Sequence, residues 1–271
     1  MVTLEVNDFL KKLAEKYETK DFLLEDPSRF LRYYERTTDR EVFAFVTAML
    51  SFGNRKQFIP KIQKLADLCD EWGKAKGQGF AAWIMSGAYR FSLLPPEGNA
   101  EKKFYRFYSY NDMYVLFDDL QQILRISGSF GRFFRESWED MRPTEGREPG
   151  ATEPEFAYPL DRLISESFPS SAIVSKGKNS ANKRIQMFLR WMVRRNSPVD
   201  LGLWTWYSPK KLIIPLDVHV LQESIKLGLL PANAKADRKT ALMLTERMKE
   251  IWPEDPCRGD FALFGLGVDK D

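Results

Sequence analysis

The sequence predicts an all-α fold, and the spacing of its apolar residues carries that prediction. Between residues 111 and 126 they recur at the three- and four-residue intervals of one helix face. The residues in that stripe are Met113, Leu116, Phe117, Leu120 and Leu124. Residues 183–192 and 217–225 repeat the pattern. A chain of 271 residues is long enough to bury one sizeable core, so we expect a single helical unit, 1–271.

Composition and charge fit a soluble globular protein. The 41 basic residues barely exceed the 38 acidic ones, and a net charge of +3 does not by itself indicate a nucleic-acid partner. The sequence has no apolar run of 18 residues and no signal-like leader. We therefore expect a cytoplasmic protein without membrane contact, and a monomer.

The first fifty residues contain three predicted helices, the second of which starts after Asp26-Pro27 and covers Ser28–Arg36. Residues 4–17 place Val6, Leu10, Leu13 and Tyr17 on one helix face. Thr38 followed by Glu41 has the pattern of a capping box, and the helix after it, to Leu50, is apolar nearly all round and should be buried. A small, polar, basic loop, 51–57, then ends this helix.

An aromatic run, 104–110, leads into the helix predicted over 111–126. Such a run is typical of a surface that stacks on nucleic-acid bases. Because it continues directly into a core-facing helix stripe, we favour core packing for it.

The segment 141–157 is the irregular part of the chain. It combines three prolines and two glycines with four glutamates. Such a composition cannot bury apolar area, so we predict a mobile surface insertion rather than a domain boundary.

Two helix starts in the last third carry charged residues. Ser180 is an N-cap type that would place Lys183 in the first turn of one helix. Asp217, just after Pro215, is the N-cap type for the next, which Gly228 ends.

These two positions have opposite electrostatics. A helix N-terminus stabilises the Asp217 carboxylate but disfavours an ammonium at Lys183. The same field favours the neutral amine, which is the form that a lysine nucleophile needs. The alternative is that Lys183 contacts only solvent or a phosphate, and that Asp217 is only a cap.

The two segments resemble the helix-hairpin-helix (HhH-GPD) DNA glycosylase superfamily. The matching residues are Asn182-Lys183-Arg184 and Pro215-Leu216-Asp217-Val218-His219, and residues 260–267 resemble the superfamily's last core helix. Asp217 follows Lys183 by 34 residues, a spacing similar to the archaeal 8-oxoguanine glycosylase branch. The pattern also resembles a bacterial family within this superfamily that is defined by sequence alone.

The resemblance implies a two-lobed helical fold, with about 38–195 as one lobe and the N- and C-terminal helices as the other. It implies a glycosylase with AP lyase activity on a damaged purine such as 8-oxoguanine in duplex DNA. Lys183 would attack C1′ and form a Schiff base, and Asp217 would assist it. No metal or cofactor is required. Many relatives carry a four-cysteine iron–sulfur loop, but only Cys257 lies in that region, so no cluster is expected.

The resemblance also suggests which residues hold the DNA. Residues 171–195 contain seven basic residues and no acidic one, which indicates either a phosphate-binding face or an ordinary solvated face. The predicted DNA-binding residues are Lys176, Gly177, Lys178, Arg184, Arg190, His219 and Asn54. For His219, a buried donor role is the alternative.

For the base pocket the predicted residues are Phe52, Trp204 and Trp206. Plain packing explains both tryptophans equally well, and a structural loop explains Phe52 and Asn54. Two further functions stay open: a non-catalytic DNA-binding protein of this fold, and an RNA- or protein-binding helical scaffold.

Overall fold

A computed structural model describes residues 2–141 and 159–268 of the chain. The predicted mobile insertion, 141–157, lies outside the described residues except for Met141. The described part is predominantly helical, which confirms the all-α prediction at that level. No helix in the ranges described is long and apolar enough to cross a membrane.

The α-helices follow one another along the described chain. They are α1 (Leu4–Tyr17), α2 (Thr37–Leu50), α3 (Arg55–Gly73), α4 (Phe80–Met85), α5 (Tyr89–Ser92), α6 (Tyr110–Ser127), α7 (Phe130–Asp140), α8 (Leu160–Glu166), α9 (Lys183–Val193), α10 (Val218–Lys226), α11 (Arg238–Lys249) and α12 (Arg258–Val268). Two short antiparallel strands, β1 (Lys103–Tyr105) and β2 (Tyr108–Ser109), precede α6. Short 3-10 turns occupy Lys20–Leu24, Pro27–Arg32, Lys74–Lys76, Pro96–Gly98 and Pro209–Lys211.

The chain divides into two compact units. The terminal unit comprises Met1–Arg29 and Lys176–Asp271, and the central unit is Phe30–Ser175. The sequence-based boundary placed residues up to 195 in the central lobe. In the structure α9 belongs to the terminal unit, because Arg190 in its C-terminal half forms ion pairs with Asp200 and Asp260 of that unit.

Helix α12 is the centre of the terminal unit, and both α1 and α10 pack on it. Gly265 allows the close approach to α1, since a Cβ there would lie 2.2 Å from ring atoms of Tyr17. Phe261 of α12 contacts the ring of Phe22 edge-on at 5.2 Å. These contacts bring the first and last described helices into one core.

A buried ion network links α9 to the rest of the terminal unit. Arg194 contacts Asp200 at 2.6 Å and both Glu18 and Asp255 at 2.8 Å. Arg190 contacts Asp200 at 3.3 Å and also donates to the carboxylate of Asp260 in α12. Both arginine side chains are buried, so their charges depend on these carboxylates rather than on water.

The central unit has α2 at its core. Eleven of the fourteen residues of α2 are buried, as its apolar sequence predicts. The predicted capping box at Thr38 is wrong. Helix α2 begins earlier, after Arg36, and the Glu41 carboxylate accepts instead from the Gly131 backbone N–H at 3.1 Å. A tertiary partner therefore replaces the local one.

Candidate functional site

Lys183 is the first residue of α9. Its predecessor Asn182 has a left-handed backbone, with φ 49° and ψ 39°, and holds the N-cap position. The prediction of Ser180 as the cap is therefore wrong. The Ser180 hydroxyl accepts from the Asn182 backbone N–H at 3.1 Å and so shapes the turn before the helix.

The loop before α9 is fixed to the segment before α11. The Asn179 carbonyl accepts from the Arg238 backbone N–H at 2.9 Å, and Ser180 forms an isolated antiparallel bridge with Asp237. These backbone contacts join two segments that are more than fifty residues apart in sequence. They determine where Lys183 begins its helix.

A buried extended segment positions Asp217. Residues 212–216 are buried, and the Ile214 backbone N–H donates to the Thr245 hydroxyl at 3.0 Å. The chain then turns into α10, and Asp217 Oδ1 accepts from the Val220 backbone N–H at 2.9 Å. The predicted N-cap role of Asp217 is confirmed.

The second carboxylate oxygen of Asp217 faces Lys183. The Lys183 Nζ lies 3.4 Å from Asp217 Oδ2, and the two side chains are 31% and 22% exposed. One oxygen thus caps α10 while the other pairs with the amine. A half-buried lysine beside a carboxylate has an acceptor for its proton and remains open to a molecule from solution.

Asp260 is a third charged group at this site, and it is not among the residues predicted from sequence. The pKa of Asp260 is raised to about 6, mainly by burial and also by the negative charge of Asp217, although the charges of Arg190 and Lys183 act to lower it. Asp260 is the one acidic residue in the otherwise apolar run 259–268. A single carboxylate in such an apolar helix is the sequence signal by which Asp260 could have been found.

We expect Asp260 to make stability depend on pH in a specific direction. Its folded pKa lies above the ordinary value of about 3.9. Its contribution is therefore fully present below about pH 4 and is lost as the pH rises through about 6. The unfolding free energy of the wild type relative to Asp260→Asn should fall by roughly 2 kcal/mol between those limits, measured by denaturant titration. A difference that grows with pH would mean that the ion pair with Arg190 outweighs burial.

Two basic segments meet beside Lys183. Lys176 and Lys178 are exposed, and Arg184 is half-buried at the first turn of α9. Asn179 and Ser180 form backbone contacts with Arg238 and Asp237. These contacts bring three further basic residues to this loop: Lys235, Arg238 and Lys239. We call these six residues the basic face. The second segment was missed because its proximity is a product of folding, not of sequence.

Two predicted site residues, Arg190 and Trp204, have environments that change their interpretation. Arg190 is buried in its ion pairs with Asp200 and Asp260, so its prediction as a phosphate contact is wrong. Trp204 is buried against Phe188, with ring centroids 5.3 Å apart, so it belongs to the core rather than to a base pocket. Trp206, stacked on Trp204 at 5.4 Å, is half-buried.

The remaining predicted residues lie on the surface. His219 is exposed on α10, which excludes a buried donor role. Gly177 is exposed in the loop before α9. Asn54 caps α3, since its Oδ1 accepts from the Lys56 backbone N–H at 2.9 Å, and Phe52 is half-buried two residues before it. Asn54 and Phe52 belong to the central unit, whereas Lys183 and Asp217 belong to the terminal unit.

The cysteines do not form part of this site. Cys69 and Cys257 are buried and unpaired, and burial raises the pKa of the Cys69 thiol to about 12, which disfavours the thiolate. In the residues that the structure describes, no group of three His, Cys, Asp or Glu side chains is placed to hold a metal ion.

Comparison with known proteins gives a family but no relative of known activity. No match is found among curated proteins or among solved structures. A family model does match residues 26–269, which is most of the chain and includes Lys183, Asp217 and Asp260. The chain therefore belongs to the family described as protein of unknown function (DUF2400).

Proposed function

We propose that this protein is a DNA glycosylase with AP lyase activity that removes a damaged purine from duplex DNA. The observation that carries the proposal is the contact between Lys183 Nζ and Asp217 Oδ2 at 3.4 Å, made at two helix starts that are 34 residues apart. The resemblance to the helix-hairpin-helix glycosylases rests on these same residues. It supplies the reaction, which fold alone does not.

In the proposed reaction Asp217 takes a proton from Lys183, and the free amine attacks C1′ of the damaged nucleotide. The bond between C1′ and the base breaks, and its electron pair leaves with the base, which takes up a proton from water. Transfer of the second amine proton, by way of water, to the ring oxygen then opens the sugar and gives a protonated Schiff base. The negative charge of Asp217 stabilises the cationic sugar as it develops, in a partly water-excluded site.

The lyase step follows from the Schiff base without an external oxidant or metal. Loss of a proton from C2′ leads to elimination of the 3′ phosphate, and water then hydrolyses the imine and frees Lys183. Asp260 is close enough to influence both charged residues electrostatically.

The test is borohydride trapping of the wild-type protein. Duplexes carry 8-oxoguanine, uracil, thymine glycol or an abasic site, with an undamaged duplex as the control. We expect a covalent complex with at least one damaged duplex and none with the control. If no lesion traps while duplex binding persists, the protein is a DNA-binding module. If it neither traps nor binds, a scaffold role replaces the proposal.

The basic face makes a separate prediction about DNA affinity. A lysine that contacts a phosphate releases a counterion, so Lys178→Ala or Lys235→Ala should reduce the slope of log affinity against log salt by about 0.9. Fluorescence anisotropy over a salt series measures it. Lys12→Ala in α1 is a control with the same charge change outside the basic face, and its slope should match the wild type. Unchanged slopes for both Lys178→Ala and Lys235→Ala would exclude this face as the DNA contact.

A further inference from the structure

The aromatic run 104–110 contains an exposed member. Phe104, Tyr105 and Tyr110 are buried, which agrees with the core packing favoured for this run. Phe107 is different: it is 69% exposed and lies in the turn between β1 and β2. The run is therefore part core and part surface.

The turn that presents Phe107 is unusual. Arg106 has a left-handed backbone with φ 48°, a conformation that non-glycine residues seldom adopt. The Lys103 Nζ donates to the Phe107 carbonyl at 2.9 Å and closes the turn. Strained positions of this kind persist where the surroundings hold them, and they concentrate at functional surfaces.

The guanidinium group of Arg106 lies beside the exposed ring of Phe107. The Arg106 Cζ lies 5.3 Å from the Phe107 ring centroid and 5.6 Å from that of Phe52. The rings of Phe52 and Phe107 are nearly parallel, at 12°, with centroids 6.4 Å apart. We call Phe52, Arg106 and Phe107 the hairpin cluster.

In the neighbouring loop, the absence of a side chain at Gly53 leaves space for this guanidinium. Gly53 has φ 79°, and a Cβ there would lie 2.0 Å from Arg106 Nη1. The Tyr105 hydroxyl donates to the Phe52 carbonyl, which attaches the loop to β1. Two segments that are about fifty residues apart in sequence thus form one surface element.

The surroundings of the hairpin cluster are positively charged. Residues 52–64 include Arg55, Lys56, Lys61 and Lys64 and no acidic residue. Lys61 and Lys64 of α3 lie over the rings of the aromatic run, with Lys61 Nζ 5.4 Å from the Phe104 centroid. In a chain whose net charge is only +3, this is a local concentration of cations that suits a polyanion.

The β1 side of the surface has the same sign of charge. Residues 102–110 contain Lys102, Lys103 and Arg106 and no acidic residue. Lys102 forms an exposed ion pair with Glu97 at 3.8 Å, and Asp112, beyond the run, forms the capping box of α6. An exposed aromatic ring bordered by cations is the combination with which proteins bind single-stranded nucleic acid, since phosphates pair with the cations and bases stack on the ring.

We propose that the hairpin cluster stacks on an unpaired base of DNA, with Phe107 as the contacting ring and Arg106 as its support. The choice of DNA as the partner rests on the proposed function. The stacking itself needs no chemistry at Lys183, so it is tested by binding alone. An unpaired base, rather than a paired one, is specified because the ring must reach the base face.

The experiment measures binding of undamaged single-stranded oligodeoxynucleotides by anisotropy, with 2-aminopurine fluorescence reporting on stacking. Phe107→Ala should bind roughly 5- to 100-fold more weakly and should lose the fluorescence quenching. Phe107→Trp keeps an aromatic face and should retain affinity. Phe91→Ala is the matched control, because Phe91 is 83% exposed in the same unit and lies in α5.

An abasic oligomer of equal length separates stacking from charge. It keeps the phosphates but has no bases, so wild type and Phe107→Ala should bind it equally. Wild-type binding by Phe107→Ala, or an equal loss with the abasic oligomer, would overturn the proposal. Tighter binding of RNA of the same sequence would overturn DNA as the partner. Failure of all lesions to trap, with the Phe107 effect intact, would reject the glycosylase and leave the stacking surface standing.

Discussion

Asp217→Asn is expected to lower base excision roughly a hundredfold or more while leaving the fold intact. Asparagine caps a helix about as well as aspartate, so the hydrogen bond to the Val220 N–H survives and the melting temperature should change by only a few degrees. The oxygen that faces Lys183 loses its charge, and the developing cationic sugar loses its stabilisation, an effect of about 3–4 kcal/mol in comparable sites. Single-turnover excision rates and thermal unfolding measure the two consequences.

Asp8→Asn is the control for that experiment. Asp8 is exposed on α1 and belongs neither to the Lys183–Asp217 pair nor to the basic face, so its variant makes the same chemical change outside the proposed site. Excision by the Asp8 variant should stay near the wild-type rate. Equal rates for the Asp217 variant and the wild type would reduce Asp217 to a cap and would remove the assignment of Lys183 with it.

Arg194→Met is expected to destabilise the protein by about 3–5 kcal/mol. The Arg194 side chain is 2% exposed and neutralises Glu18, Asp200 and Asp255. Burial already raises the pKa of Asp200, and removing the arginine leaves that carboxylate without one of its two cations. Urea unfolding monitored by tryptophan fluorescence measures the loss.

Arg195→Met controls for the loss of a long side chain. Arg195 is the next residue but is exposed, and its change should cost less than about 1 kcal/mol. If Arg194→Met does not fold at all, the milder Arg194→Lys should still unfold at lower urea than the wild type, because it cannot reproduce the forked contacts. An unfolding free energy of Arg194→Met equal to that of the wild type would show that the network contributes nothing to stability.

The helices were predictable where apolar spacing was regular. The prediction of residues 4–17 agrees with α1, and the stripe in 111–126 lies within α6, because in both cases one face packs on a core. Asp217 was predictable as a cap because its partner, Val220, is only three residues away. Local interactions of this kind are visible in sequence.

The errors share a physical cause, which is competition from distant partners. Glu41 bonds to Gly131 instead of closing a capping box, and Ser180 pairs with Asp237 instead of capping α9. Arg190 was read as a surface cation, but Asp200 and Asp260 draw it into the interior. Sequence cannot show such partners without the fold.

The site itself was half predictable. Lys183 and Asp217 were selected from helix starts and from a family resemblance, and the structure places their charged atoms 3.4 Å apart. Asp260 and the 235–239 segment were not selected, since each joins the site only through tertiary contacts. The same holds for the hairpin cluster, where Gly53 and Arg106 come together across about fifty residues.

The most direct measurement is the identification of the trapped residue by peptide mapping. The borohydride-reduced complex is digested with protease and nuclease, and the modified peptide is sequenced by mass spectrometry. We expect the deoxyribose adduct on Lys183, and no trapping by Lys183→Gln, while Lys178→Ala still forms the adduct. An adduct on another lysine, or trapping that survives in Lys183→Gln, would contradict the assignment of Lys183 as the nucleophile.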